Sequence, residues 1–360
     1  MNKKVIVVCM LVLAMTLSIF GANKKMEMWQ KAITEKNLEL RLQYLKEYEA
    51  EFGKKEDKFH KYLYLNLSET AFQLTQYDEA IIYGEKALTF EDLDDASKLR
   101  IYLSLANAFR ITKKDLEKAY HYAGLVIEMG KRLVKHHEES NQPQEKKEGQ
   151  INTYKAFYIA PALRIQAQLL YEKGKDNPEN MKEATKKACE AYETDKTDRS
   201  SKLAFNFAVN LYKKKLTDEA IQALEIIIDE EKPDYSHSYL LANLYNRKKD
   251  KTKAAHYFEL AYKADKKARL ALNIGKLVYK ENINKGIKYF AEAYVLSKSN
   301  KQSDAYKFLQ QLYFNELAKD KSPEEQEKGF LEIINAARAR LGMQPVSGET
   351  PPATGETSDT

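Results

Sequence analysis

The apolar residues of the chain follow two superimposed periods. Over short distances they lie three and four residues apart, so that Ala220, Leu224 and Ile227 share one face of a predicted α-helix. Over longer distances the same pattern returns after 34 residues. The pairs at this offset are Phe207 with Leu241, Ala208 with Ala242, Leu211 with Tyr245, Ala220 with Ala254, Leu224 with Phe258 and Ile227 with Ala261. The sequence therefore predicts a helix pair that is repeated along the chain.

Small residues recur in step with this pattern, where two helices of a pair would approach most closely. The same register continues in both directions. The further pairs of small residues are Ser68 with Ala80, Ala106 with Ala119, Ala167 with Ala184 and Gly275 with Gly286. Only 13 Gly and 8 Pro interrupt 360 residues, which leaves long stretches for helices.

In its period and in its two small positions twelve residues apart, as in Ala208 and Ala220, the chain resembles the tetratricopeptide repeat family. The resemblance implies an all-α fold, a right-handed superhelical solenoid of antiparallel helix pairs. Each pair would bury its apolar face only by stacking on its neighbours, so about three or more pairs are needed for stability.

Composition divides the chain into segments. We predict repeats in residues 22–135 and 151–341, separated by a polar linker or insertion at 136–150, HHEESNQPQEKKEGQ. Pro161 falls where a first helix should run, so that helix is either kinked or begins there. The Pro-, Gly-, Ser- and Thr-rich residues 342–360 are predicted to form a disordered tail.

The N-terminus has the three parts of an export signal. Two lysines precede an apolar run at 5–20, and the small residues Gly21 and Ala22 follow it. We predict that residues 1–21 are a cleaved signal peptide and that the protein is exported, either periplasmic or secreted. The alternative is an N-terminal membrane anchor, although sixteen helical residues rise only about 24 Å.

Charge and cysteine content argue against two classes of function, nucleic-acid binding and cysteine chemistry. Lys and Arg number 59 and Asp and Glu 53, so the net charge of +6 is too small for a dedicated nucleic-acid binder. After cleavage Cys189 is the one cysteine left, because Cys9 lies in the signal. It is interpreted as a small buried hydrophobe rather than a reactive nucleophile.

Sequence motifs of catalysis are absent from the chain. It has no P-loop, no GxGxxG, no GxSxG and no HExxH pattern. His136, His137, Glu138 and Glu139 are the strongest metal candidate, but they are interpreted as a solvated helix end. We therefore predict no catalytic residues, no cofactor and no metal, and a protein that is not an enzyme.

The resemblance implies that the first helix of each pair lines a concave groove. The predicted groove residues are Lys202, Asn206, Tyr239, Asn243, Arg247, Arg269, Asn273, Lys276, Lys280, Arg100, Asn107 and Arg164, with Asn66, Arg110 and Gln168 as further candidates. Amides and cations dominate this set. Amides can pair with a peptide backbone and Arg with carboxylates, so an acidic protein or peptide is the expected partner.

The chain is accordingly predicted to be an exported scaffold or adaptor in cell-envelope assembly. An alternative is a glycan-binding or glycan-processing helical protein, in which some of the 24 tyrosines stack on sugar rings. A structural spacer, with its groove filled by its own side chains, is the third interpretation. Membrane contact is expected only through an uncleaved signal, and the sequence does not specify the oligomeric state.

Overall fold

The computed structural model describes residues 24–53, 59–174 and 176–347, and these residues contain helices and turns but no β strand. The predicted signal peptide, including Cys9, lies outside the described residues. The chain divides into two compact units, Met1–Lys214 and Lys215–Thr360. Among the helices in the described ranges, none combines the length and the apolar character needed to cross a membrane.

The first unit is built from ten helices within the described residues. They are α1 (24–34), α2 (Leu38–Phe52), α3 (His60–Gln73), α4 (Tyr77–Ala87), α5 (Asp95–Thr112), α6 (Leu116–Glu139), α7 (Gln144–Tyr154), α8 (Ala160–Lys173), α9 (Pro178–Asp195) and α10 (Asp198–Lys213). α3 packs on α4, α5 on α6 and α8 on α9 as helix hairpins, and successive hairpins pack on one another.

The second unit continues the same scheme. Its helices are α11 (Thr217–Ile227), α12 (Tyr235–Arg247), α13 (Lys251–Ala264), α14 (Ala268–Val278), α15 (Ile283–Leu296), α16 (Asp304–Leu312) and α17 (Pro323–Arg340). α12 pairs with α13 and α14 with α15, while α16 and α17 both pack on α15. These hairpins confirm the predicted all-α fold of tetratricopeptide type.

The small residues that define the register are buried. Ala242 and Ala254 are 0% exposed, and the equivalent alanines of the other pairs are buried as well. Gly286 shows how closely the backbones approach, because a Cβ at this position would lie 2.8 Å from the Cα of Tyr279. Only glycine fits there without displacing the main chain at the end of α14.

Of the two alternatives predicted for 136–150, a linker or an insertion, the structure fits an insertion within the first unit, and the segment is more helical than expected. α6 continues to Glu139, and Gln144 already begins α7, which packs against α6. The segment is helical because Gln, Glu and Lys are good helix formers. Gln144 also stabilises the helix, because its Nε2 donates a hydrogen bond to the Glu148 carboxylate one turn later, at 2.7 Å. The segment thus lies inside the first unit, and the boundary between the units falls between Lys214 and Lys215.

A π-helical turn at Lys155–Ile159 joins α7 to α8. The N–H of Ala160 donates to the carbonyl of Lys155, five residues earlier. Pro161 follows directly and has no N–H to donate, so the wider turn accommodates the proline within a nearly continuous helix. The sequence left open whether the helix is kinked at Pro161 or begins there. The structure shows that α8 begins at this point, with the proline in its first turn.

The C-terminal prediction also needs a correction. Residues 342–347 were expected to begin a disordered tail, but they fold back on α17, and Val346 packs against the core of the second unit. The reversal is specified by Gly342, which adopts a φ of +71° directly after the helix end. Residues 348–360 lie outside the described residues.

The close approach at Gly286 predicts the effect of one added methyl group. Gly286→Ala should lower the stability of the chain by about 1–3 kcal/mol, because the Cβ would collide with main-chain atoms. Gly149→Ala is the control, since a Cβ there meets nothing within 4 Å and the helix should gain about 0.5–1 kcal/mol. Thermal unfolding followed by circular dichroism measures both changes. Two variants of equal stability would contradict the packing at Gly286.

Candidate functional site

The first helices of the second unit, α12 and α14, carry cations without carboxylates. Arg247 lies on α12, Arg269 and Lys276 lie on α14, and neither helix contains Asp or Glu. All three cations are exposed. The second helices, α13 and α15, do contain acids, Glu259 and Glu292. The second helices also carry lysines, so the feature that distinguishes α12 and α14 is the lack of carboxylates and not a positive charge as such.

Aromatic rings link the beginnings of these two helices. Tyr235 and Tyr239 stack on α12 with centroids 5.5 Å apart and an interplanar angle of 7°. Lys267, the residue before α14, places its Nζ 4.0 Å from the ring centroid of Tyr235. The same Nζ pairs with the carboxylate of Asp265 at 2.8 Å, so this cation–π contact brings an ion pair, and not an unpaired cation, next to Tyr239.

The groove asparagines share one geometry. Asn243 donates its Nδ2 to the carbonyl oxygen of Tyr239 at 2.7 Å, and Asn107 does the same to Leu103 at 3.1 Å. Asn66 repeats the arrangement in α3. Part of each amide is therefore bound to its own helix. Each amide was expected to pair with a peptide backbone through both its oxygen and its nitrogen. Because the Nδ2 already donates to the helix, only the second N–H and the Oδ1 remain for such pairing.

Lys276 is engaged with the next helix of its unit. Its Nζ lies 3.5 Å from a carboxylate oxygen of Asp304 and 5.0 Å from the ring centroid of Phe308. Lys280 is exposed, whereas Asn273 is half-buried. The carboxylate that α16 brings to this surface therefore offsets part of the charge of Lys276.

In the first unit, too, a carboxylate lies among the predicted groove cations. Arg100 on α5 forms an ion pair with Glu69 on α3, and Tyr158 of the π turn lies close to both. Burial raises the pKa of the Glu69 carboxyl, and the neighbouring Arg100 opposes that shift. Sequence analysis missed Glu69, although it lies three residues after Asn66 and shares a helix face with it.

Arg164 is not a groove residue, which corrects the prediction. It is 9% exposed, and its guanidinium donates at 2.8 Å both to the carboxylate of Asp195 and to the hydroxyl of Ser200. Burial lowers the pKa of Arg164, and the hydrogen bond to Asp195 counteracts that effect. The pair is structural because it joins α8 to the junction between α9 and α10.

The other predicted positions fall into two groups. Lys202 and Asn206 are exposed on α10, while Arg110 and Gln168 are half-buried on α5 and α8. In the first unit α3 packs on α5 and α5 on α8, so the first helices are neighbours there.

Cys189 and His137 are buried, whereas the other members of the metal candidate, His136, Glu138 and Glu139, are exposed. Burial raises the pKa of the Cys189 thiol to about 12, so the thiol stays protonated at neutral pH. His137 is buried and stacks on Tyr154, with ring centroids 5.5 Å apart. Within the described ranges, no three side chains among His, Cys, Asp and Glu lie close enough to hold a metal ion.

An aromatic cleft of about 650 Å³ opens between α1, α2 and α3 in the first unit. Its described lining residues are Trp29, Ile33, Arg41, Phe59, Lys61, Tyr62 and Asn66. Arg41 donates to Asn66 at 2.6 Å, and Lys61 pairs with Asp92 at 2.6 Å. None of these described lining residues is a carboxylate.

Solved structures similar to this chain include tetratricopeptide repeat proteins. A tetratricopeptide repeat protein from Parabacteroides merdae is 14% identical, with a TM-score of 0.38 over 81% of this chain and 99% of that one. Acl4, an assembly chaperone of RpL4, is 14% identical, with a TM-score of 0.43 over 72% and 97%. The apo form of RapI is 16% identical, with a TM-score of 0.40 over 80% and 97%.

Neither protein-family models nor curated proteins give a match to the chain. The identities and TM-scores of the solved structures are low. The fold assignment therefore stands on the helix hairpins and the buried small residues of the chain itself.

Because Arg164 forms a buried ion pair, we predict that its substitution lowers the stability of the protein and does not act through partner binding. Arg164→Ala leaves the Asp195 carboxylate buried without its partner and should cost about 3–5 kcal/mol in the free energy of unfolding. Arg199→Ala removes a nearby exposed cation of the same unit and should change stability by less than about 0.5 kcal/mol. Urea unfolding followed by circular dichroism distinguishes the two, and equal losses would show that Arg164 is not part of the core.

Proposed function

We propose that the protein is an exported scaffold that binds an acidic segment of a protein partner on the first helices of its second unit. The observation that supports this function is the charge of α12 and α14, which together contain Arg247, Arg269 and Lys276 and no carboxylate. The chain as a whole has nearly equal numbers of acids and bases, and the other helices of the second unit all contain at least one acid, so the lack of acids is a property of α12 and α14.

Rigidity of the helices suits such a surface for recognition. α12 and α14 both pack on α13, so their side chains project from fixed backbones. An extended acidic segment would meet Arg247 and Arg269 as bidentate partners and Tyr239 as an apolar contact. Exposed charge pairs contribute little energy each, so several contacts along the segment have to act together.

Charge reversal tests this surface. Arg247→Glu with Arg269→Glu should weaken binding of a fluorescein-labelled peptide of alternating Glu and Ala at least tenfold, because two attractive contacts become repulsive. Lys251→Glu with Lys288→Glu is the matched control, since it changes the net charge equally but on the second helices α13 and α15. Fluorescence anisotropy at several salt concentrations gives the affinities.

The two double variants separate a local surface from overall charge. Equal weakening by both would attribute binding to net charge, and no weakening by the first would remove α12 and α14 from the site. Far-ultraviolet circular dichroism should match the parent in both variants, since all four side chains are exposed.

Export and a role in assembly of a bacterial-type cell envelope form the second part of the proposal. Its support is the arrangement of two lysines, an apolar run and small residues in 1–22. We expect residues 1–30 to export a fused alkaline phosphatase in a Gram-negative bacterium, with the product beginning at Ala22. Leu11→Arg with Leu13→Arg should abolish export, because charges interrupt the apolar run.

An exported but uncleaved product that remains with membranes would favour the anchor over the cleaved signal. Phosphatase activity that is absent from the envelope would contradict export altogether.

A further inference from the structure

The chain turns back at the end of α17 and runs along the helix that it has just left. The N–H of Gly342 donates to the carbonyl of Ala339 at 3.0 Å, and the N–H of Met343 donates to that of Arg338 at 2.8 Å. This pair of bonds, with a left-handed glycine, ends the helix and reverses the chain direction. The following residues therefore pass over the last turns of α17.

Asn335 holds the returning segment by its main chain. Its Oδ1 accepts from the N–H of Val346 at 2.8 Å, and its Nδ2 donates to the carbonyl of the same residue at 3.1 Å. Arg338, three residues further along the helix, donates its Nε to the carbonyl of Gln344. All three bonds involve backbone atoms of the segment. They recognise an extended conformation and not the identity of a side chain.

Selectivity for side chains comes from Val346 and Pro345. The Val346 side chain is half-buried and packs against the core of the second unit, whereas Pro345 and Ser347 are exposed. Proline has no N–H that would need a partner, and it restricts the residue before it to extended conformations. A segment with proline before a β-branched residue therefore loses little entropy when it docks.

We propose that this face of α17, the Asn335 site, binds an extended segment of a partner protein with proline followed by valine or isoleucine. The chain's own Gln344–Val346 occupies the Asn335 site in the structure. A partner segment would take the same hydrogen bonds and the same apolar contact once the internal segment leaves. The Asn335 site is separate from α12 and α14, so it stands or falls independently of the acidic partner proposed above.

A partner segment fits the geometry better than exchange between two copies of the chain. Arg340 and Gln344 are separated by Leu341, Gly342 and Met343, and that connection spans at most about 14 Å. A segment exchanged between copies would need the ends of two α17 helices almost in contact. The same short connection gives the internal segment a high effective concentration, so it gates the site.

A peptide with the sequence of residues 341–349, LGMQPVSGE, is the probe for the Asn335 site. In the full chain, Val346→Asp should release the internal segment, because a carboxylate does not suit the apolar contact. Fluorescence anisotropy should then show at least tenfold tighter binding of the labelled peptide than to Ser347→Asp, the control at an exposed position. Val346→Gly provides a second release variant of the same kind.

Asn335→Asp, added to Val346→Asp, tests the backbone recognition. The carboxylate retains an acceptor but cannot donate to the carbonyl, so the affinity for the peptide should fall at least tenfold. A peptide with aspartate in place of the valine should not bind. Equal affinities for the Val346→Asp and Ser347→Asp chains, or an Asn335→Asp change without effect, would overturn the proposal. A parent chain that sediments as a dimer and a Val346→Asp chain that sediments as a monomer would overturn it in favour of exchange.

Discussion

The close approach of paired helices at small residues is the constraint on which the structure depends. Where Ala242 and Ala254 are buried in α12 and α13, the backbones come near enough for Phe258 and its neighbours to fill the space beside them. Each hairpin leaves an apolar face that only the next helix covers, as α14 covers α13. The orientation of every first helix, and so of its polar face, follows from this stacking.

The fold could be predicted from the sequence because the constraint is periodic and local. Ala208 and Ala242 recur at a fixed offset, and a buried small residue has few alternative roles. The secondary structure of the insertion at 136–150 was harder to predict, because loops and exposed helices such as α7 have the same polar composition. There the helix-forming character of Gln, Glu and Lys outweighed the lack of apolar residues.

The candidate site was harder to predict from the sequence than the fold, because the environment of a polar side chain depends on residues that are distant in the sequence. Arg164 shares its helix face with groove positions, yet Asp195 and Ser200, from the following helices, bury it. Glu69 neutralises Arg100 across two helices. The composition of residues 342–347 indicates disorder, but Asn335 and Arg338, outside that segment, hold it in place. No periodicity in the chain encodes these three outcomes.

The return of the chain along α17 has a practical consequence for handling the protein. An affinity tag or fluorescent fusion attached near residue 347 would be tethered directly to the segment that Asn335 holds. A bulky attachment there would strain the two hydrogen bonds of Asn335 and shift the segment toward its released form. An exposed connection of the first unit, such as the one between α6 and α7 that contains Asn141, is a more suitable place for a label.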